Sequence, residues 1–489
     1  MLTELFLATV DRCGGLPAVE DDRVSLSYRR LAVFARVMRD WVEQTTSCDR
    51  VALMLPASAS FCGCLFGVLW SGRACVPLNF LLSADELARV VDASGVDVVL
   101  TVTAFAPLVR ALPVRVVYLD KLPLKRRMLT AGMRKLPAAP RVGAGDTAVL
   151  LFTSGTSGDP KGVELTQSNL HSNCMDCIAT AGMQPDHRFL NCLPPFHVFG
   201  LTCDVIVPVA LGAAAYCVPR FSPAAVARTI TDKRVSIMLA IPSMYRAILR
   251  LRSATPDLFR DAYLLISGGE PLSDALREQF CERFAVRIFQ GYGLSETSPV
   301  CTLETPSAQR AGTIGRPIRN VAVRITDDEN QPLGVNQEGE ILIKGPNVMK
   351  GYFRDEPGTR KAITPDGWFR TGDAGFVDED GFVTITGRLK DIIIVGGENV
   401  HPVEVEQVLE SHADVAEAAV VGAEDASRGE VPVAFVLLKE GGTATEADLR
   451  AYARTRLAGY KTPRRVVIRD DLPRGPTGKI LKRKLRDLL

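Results

Sequence analysis

The feature that most constrains this chain is an apolar strand that breaks abruptly into small polar residues. Residues 148–152 carry no charge and read as a buried strand. They run directly into Thr153-Ser154-Gly155-Thr156-Ser157-Gly158-Asp159-Pro160-Lys161-Gly162-Val163. Glycines let backbone N–H groups approach an anion, hydroxyls add hydrogen bonds, and the lysine adds a point charge, so the run is built to hold phosphate. A flexible linker would share the Ser and Gly but lack the strand in front of them. A P-loop ends in Gly-Lys-Ser/Thr, whereas this run ends in Pro160-Lys161-Gly162. No hydroxyl follows the lysine to hold Mg²⁺, so a metal-binding carboxylate has to come from elsewhere in the chain. Thr166 is a candidate N-cap for a helix that follows.

At 489 residues the chain is too long for one core and should split into two or more domains. A formal net charge of +2, with 23% charged and 47% hydrophobic residues, gives no global attraction to nucleic acid or membrane. The 12 cysteines show no regular spacing. Cys174 and Cys177 invite a redox or zinc reading, but with Leu170, Ile178 and Ala181 they fall on one helical face. No second Cys or His pair stands nearby to complete a metal site, so buried thiols in a reducing, cytoplasmic compartment are expected. Residues 1–10 lack a basic leader and meet Asp11-Arg12 at once, so no signal peptide is expected. Two weakly charged stretches, 51–72 and 192–219, are interrupted by Pro56 and by Pro194, Pro195 and Pro208. They read as buried α/β segments, and no transmembrane segment is expected.

The first part of the chain alternates between the two periodicities: strand 51–55, helix 58–71, strand 74–77, helix 84–94, strand 96–100. Such alternation predicts parallel sheets covered by helices. Residues 121–135 form the most basic run of this half. They read either as a solvated connection or as a docking patch for an anionic surface or an acidic carrier protein.

Further along, Gln290-Gly291-Tyr292-Gly293-Leu294-Ser295-Glu296-Thr297 sets an aromatic face between glycines, where a purine could stack. Glu296 offers the hard oxygen that Mg²⁺ prefers, and Thr297 a hydroxyl for a phosphate. Then come Trp368-Phe369-Arg370-Thr371-Gly372-Asp373, Gly387-Arg388-Leu389-Lys390-Asp391 and, at the end, Pro476-Thr477-Gly478-Lys479. Together with the 153–163 run, these motifs resemble the signatures of the adenylate-forming superfamily, which includes acyl-CoA synthetases, amino-acid adenylation domains and luciferases. The resemblance covers essentially the whole chain.

The resemblance implies an α/β fold in two parts. Residues 1–389 would be a large N-terminal adenylate-forming domain, with parallel sheets covered by helices plus a small β-rich subdomain. Residues 390–489 would be a small mobile α+β C-terminal domain. ATP would be held by Thr153, Ser154, Gly155, Thr156, Ser157, Gly158, Lys161, Gly269, Glu270, Gly291, Tyr292 and Gly293, with Asp373 and Arg388 at the ribose. Glu296 would hold Mg²⁺, and Thr297 would donate to a phosphate. Lys479 would be the catalytic lysine, bridging the acyl carboxylate and the α-phosphate. Lys390 would be the hinge, and Gly396-Gly397 would face the thiol channel. Gly351-Tyr352 matches a weaker motif and looks structural.

His197, in Pro194-Pro195-Phe196-His197, would lie beside the acyl carboxylate, where amino-acid-activating relatives carry aspartate. That argues against an amino-acid substrate. Gly268-Gly269 would form one wall of the acyl pocket and, lacking side-chain bulk, leave room for a long or wide acyl group. The expected activity is ATP-dependent conversion of a carboxylic acid, a medium- to long-chain fatty acid, to acyl-AMP and then to its CoA thioester. ATP, Mg²⁺ and CoA are the cofactors and co-substrates implied. The alternatives are an acyl–acyl carrier protein synthetase, an adenylation-only fatty acid–AMP ligase, and an aryl-CoA ligase. Lys479, Glu296 and Asp373 weigh against a non-enzymatic acyl-binding protein. The expected partners are small molecules, with an acyl carrier protein as the competing acceptor, peripheral membrane contact left open, no nucleic acid, and a monomer or homodimer.

Overall fold

The computed structural model describes residues 1–154, 160–425, 427–474 and 480–489. They pack as two compact units, Met1–Ala322 with Ile343–Phe369, and Val323–Leu342 with Arg370–Leu489.

The first unit holds two large sheets. In one, six neighbouring strands run parallel, in the order Ile288–Gly293, Leu264–Ser267, Ile237–Ala240, Arg188–Asn191, Ala214–Cys217 and Pro17–Glu20. Antiparallel strands flank them on both sides. In the other, Thr147–Ser154, Ala74–Pro77, Arg50–Met54, Val98–Thr101 and Arg115–Tyr118 are parallel. Strands such as Ala74–Pro77, Val98–Thr101 and Ile237–Ala240 are buried at every residue, which is why they read as continuous apolar runs rather than alternating ones.

The helix Ala59–Trp70 follows its N-cap Ser58 and is buried at every residue but Ser60, so most of stretch 51–72 is core. Among the described residues no helix is long and apolar enough to cross a membrane. All 12 cysteines are free, and Cys174 and Cys177 are buried as their helical spacing predicts.

The second unit contains a four-stranded sheet in the order Ala322–Thr326, Gly339–Lys344, Phe369–Val377 and Val383–Arg388. A five-stranded sheet is built around Val415–Asp425, Gly429–Leu438 and Arg465–Arg469, with helices Pro402–Glu410 and Glu446–Arg454 closing its core. By packing, residues 323–342 and 370–389 group with the C-terminal segment, although the expected boundary after residue 389 assigned them to the large domain. One local clamp joins these parts. His401, at the start of helix Pro402–Glu410, sets Nε2 3.0 Å from Glu338 Oε1. Gly387 leaves room for that ring, since a Cβ there would stand 2.9 Å from His401 Nδ1.

Candidate active site

The two ends of the phosphate run lie on paired strands. Strand Thr147–Ser154 pairs antiparallel with Pro160–Thr166, with Thr153 opposite Lys161. Residues 160–166 therefore form a second strand where the sequence suggested a direct passage to a helix. That helix, Gln167–Ala181, does start at Thr166 with a capping box: Thr166 Oγ1 accepts from Asn169 N at 3.1 Å and Asn169 Oδ1 from Thr166 N at 2.9 Å. Gly155, Thr156, Ser157 and Gly158 lie outside the described residues, as does the side chain of Ser154. Thr153 Oγ1 stands 3.5 Å from the Lys161 carbonyl.

Strand Ile288–Gly293 carries Gly291, Tyr292 and Gly293 into the single turn Ser295–Thr297. Gly293 is required there, because a Cβ would meet the Pro299 carbonyl oxygen at 1.9 Å. Buried Glu304 stiffens the approach, accepting from Gln290 N at 2.8 Å and from Arg277 Nη1 at 2.9 Å. Thr297 is fully buried, and its hydroxyl is committed to the turn: it accepts from Leu294 N at 2.9 Å and donates to Pro299 O at 2.5 Å. The hydroxyl expected to face a phosphate is here a structural pin. The tight 294–299 turn brings that main-chain acceptor to it.

The residue the sequence reading missed is Tyr352. Strand Gly351–Tyr352 lies along the phosphate hairpin, with Tyr352 opposite Val163, while Met349 N donates to Glu296 O at 2.7 Å. One strap thus touches both motifs. The Tyr352 hydroxyl donates to Glu296 Oε1 at 3.0 Å, and Lys161 Nζ sits 3.4 Å from the centre of its ring. Burial, then the adjacent Glu296 charge, pushes the phenol's pKa far up, so it stays a donor at any working pH. Gly351-Tyr352 looked structural, and the only signal to the contrary was an aromatic hydroxyl in an otherwise plain motif.

Glu296 suits Mg²⁺ that is held mainly by a nucleotide. It offers a hard carboxylate oxygen, and among the described residues no group of three or more His, Cys, Asp or Glu forms a cage of its own.

His197 N donates to Pro194 O at 3.1 Å, and the imidazole packs against Phe196 with ring centres 4.7 Å apart. The helix behind it, Gly200–Ile206, is wound with the wider π spacing and is buried throughout. Within it, Asp204 accepts from Leu193 N at 3.2 Å, and its burial raises the carboxyl pKa well above 3.8. Gly269 adopts φ +82°, a left-handed turn that favours glycine, and Glu270 follows it. A Cβ at Gly268 would lie 3.1 Å from the Phe199 ring. The space the missing side chain leaves is therefore filled by Phe199, which corrects the expectation of an open, roomy wall at this position.

In the second unit, Asp373 and Arg388 stand opposite one another on adjacent antiparallel strands. Arg388 Nε lies 2.9 Å from Asp373 Oδ1, with the carboxylate buried and the guanidinium half-exposed. Lys390 is exposed in the short turn Leu389–Asp391. Gly396 and Gly397, at φ +61° and +91°, tip the hairpin between Ile393–Val395 and Glu398–Val400. Among the described residues, no heavy atom beyond their chain neighbours lies within 4 Å of where their Cβ atoms would be. Lys479 lies outside the described residues.

Comparison with known proteins gives the class of protein. The chain belongs to the AMP-binding enzyme family: that family model matches residues 6–353, and the AMP-binding enzyme C-terminal domain matches residues 404–479. Within it the chain is an AMP-forming acid–thiol ligase that uses ATP, Mg²⁺ and CoA. It is 36% identical over 443 residues to a feruloyl-CoA synthase from Amycolatopsis sp, covering 90% of this chain and 88% of that protein. It is 35% identical over 456 residues to the long-chain-fatty-acid–CoA ligase FadD13 of Mycobacterium tuberculosis, with coverage of 90% and 88%. Among solved structures, ATP-bound MatB from Rhodopseudomonas palustris matches with a TM-score of 0.91 at 29% identity, covering 100% of this chain and 99% of that one.

Proposed function

We propose that this ligase activates an apolar monocarboxylic acid, a fatty acid of medium to long chain, as its acyl-adenylate and transfers the acyl group to the thiol of CoA. The observation that carries the adenylation step is the meeting of Lys161 and Glu296 on one side chain, Tyr352. It brings a phosphate-seeking cation and a metal-seeking carboxylate within reach of one triphosphate. When the substrate carboxylate attacks the α-phosphate, two anions approach one another, so catalysis is mainly positioning and charge neutralisation.

In this reading the 153–161 run holds the phosphates, and Tyr292 offers its face to the adenine. Asp373 and Arg388 take the ribose hydroxyls. Glu296 would hold Mg²⁺, which when bound neutralises phosphate charge. Lys479 stabilises the charge that develops between carboxylate and α-phosphate, and His197 lies at the acyl carboxylate. The acyl-adenylate then meets the thiol, acyl transfer releases AMP, and Gly396-Gly397 border the thiol's path. Lys390 is the pivot at which residues 390–489 turn between the two half-reactions. It would act inside the second packing unit, and the clamp at His401 would have to open.

The aliphatic assignment rests on the apolar Phe196, Val198 and Phe199 around His197 and on likeness to a long-chain-fatty-acid ligase. A second reading, an aryl acid, draws on the Phe199 ring lying over Gly268, a flat surface suited to stacking, and on likeness to a feruloyl-CoA synthase. ATP–pyrophosphate exchange over aliphatic acids of rising length and over benzoate- and cinnamate-type acids separates the two. Exchange that climbs with chain length supports the first, and exchange confined to aryl acids replaces it with the second. Supplying either CoA or a holo-acyl carrier protein then identifies the acceptor.

A further inference from the structure

Among the described residues, the two most exposed large apolar side chains stand on the most basic run of the chain's first half. Residues 121–135 hold Lys121, Lys125, Arg126, Arg127, Arg134 and Lys135 and no acidic residue, and all six cations are exposed. Helix Leu124–Gly132 turns Leu124, Met128 and Ala131 inward at i, i+4 and i+7 spacing, where they are half-buried. Leu129 and Met133 are left outside, 74% and 81% exposed, the two highest values for large apolar side chains among the described residues. Four residues apart, they share one face.

This face is built rather than loose. Buried Arg36 directs Nη1 to the carbonyls of Ala131, Arg134 and Lys135 at 3.2, 3.3 and 3.1 Å. Trp70 Nε1 donates to Ala138 O at 3.0 Å, pinning the chain just beyond. The acid next to the segment, Asp120, is engaged with Thr103 N at 3.0 Å. The backbone is thus tied from inside, while the outward surface combines six cations with two long apolar side chains. Water solvates the cations but not Leu129 and Met133. A surface with anionic phosphates over hydrocarbon satisfies both.

We propose that this face docks the enzyme on an anionic lipid membrane, with the cations at the lipid phosphates and Leu129 and Met133 entering the headgroup–acyl boundary. An acidic protein helix would match the cations alone and leaves the two apolar side chains without a role. The full chain is sedimented with vesicles of phosphatidylcholine, alone or mixed with phosphatidylglycerol. It should bind the mixed vesicles and release at high salt, as screened surface charge requires. K125E/R126E/R127E and L129S/M133S should each lower vesicle affinity by at least about tenfold. All five positions are exposed, so turnover of a water-soluble acid without vesicles should stay at the parent level in both variants. Equal binding to phosphatidylcholine alone, or parent-level binding by either variant, would overturn the proposal. So would capture of a holo-acyl carrier protein through these residues with vesicles ignored.

Discussion

Tyr352→Phe removes one oxygen and leaves the ring, so it separates the two contacts this residue makes. The lost contact is a hydrogen bond to a carboxylate, Tyr352 Oη to Glu296 Oε1 at 3.0 Å. Hydrogen bonds to charged groups contribute about 1.5–3 kcal/mol. At 1.4 kcal/mol per tenfold, that is roughly a ten- to hundredfold weakening of whatever depends on the orientation of Glu296. The kept contact is the ring under Lys161 Nζ, 3.4 Å from its centre, a cation–π interaction of about 0.5–2 kcal/mol. Calorimetric titration with ATP should therefore give parent affinity in EDTA and lose most of the gain that Mg²⁺ brings. Pyrophosphate exchange should need roughly ten- to hundredfold more Mg²⁺ for half-saturation, with a maximal rate close to the parent's. Tyr352→Leu should lose the ring contact too and alter metal-free ATP binding as well. If Tyr352→Phe binds ATP with the parent's full Mg²⁺ increment, the strap between Lys161 and Glu296 has no functional consequence and the reasoning fails.

Lys479→Ala should cut acyl-adenylate formation by about 10²–10³ while sparing thioester formation from supplied acyl-adenylate, and near-normal pyrophosphate exchange would remove Lys479 from the mechanism. Lys390→Pro should do the reverse, because proline fixes φ at a residue that has to change it; parallel survival of both half-reactions would unseat the pivot. Phe199→Ala frees the space over Gly268, so longer aliphatic acids should gain on shorter ones, by up to about 0.8 kcal/mol per additional buried CH₂; an unchanged length profile would place the acyl chain elsewhere. Asp204 has a raised carboxyl pKa through burial, so the folded state holds its proton more tightly than the unfolded one. Its contribution is full below the usual carboxylate pKa and is lost as pH rises toward the raised value. Asp204→Asn should flatten stability against pH, gaining on the parent from about pH 4 upward in denaturant titrations, and parallel curves would refute this.

Much of the local structure is legible because sequence neighbours produce it. Ser58, Thr166 and Ser83 cap helices beginning one residue later, each side-chain oxygen taking a main-chain N–H three residues on. Strand Ala74–Pro77 and helix Ala84–Ser94 fall where the change of period predicts them. Gly396 and Gly397 take the left-handed turn that glycine marks. Asp373 and Arg388 lie 15 positions apart in the chain, and one hairpin makes them cross-strand neighbours.

What the chain by itself determined, then, is the set of chemical groups and the short-range elements that carry them: the phosphate hairpin's first strand, Glu296, the Asp–Arg pair, the terminal lysine. What only the tertiary structure decided is which groups meet across long separations. Tyr352 reaches Glu296 from 56 positions away, because a two-residue strand pairs with the phosphate hairpin. Phe199 fills the space at Gly268, 69 positions away. His401 reaches back to Glu338 and draws the β-rich segment toward the C-terminal one. Periodicity and capping record what a residue does with its neighbours within a turn or two of chain. Strand order and side-chain packing follow from the whole core minimising exposed apolar surface at once, and no local window of sequence contains that sum.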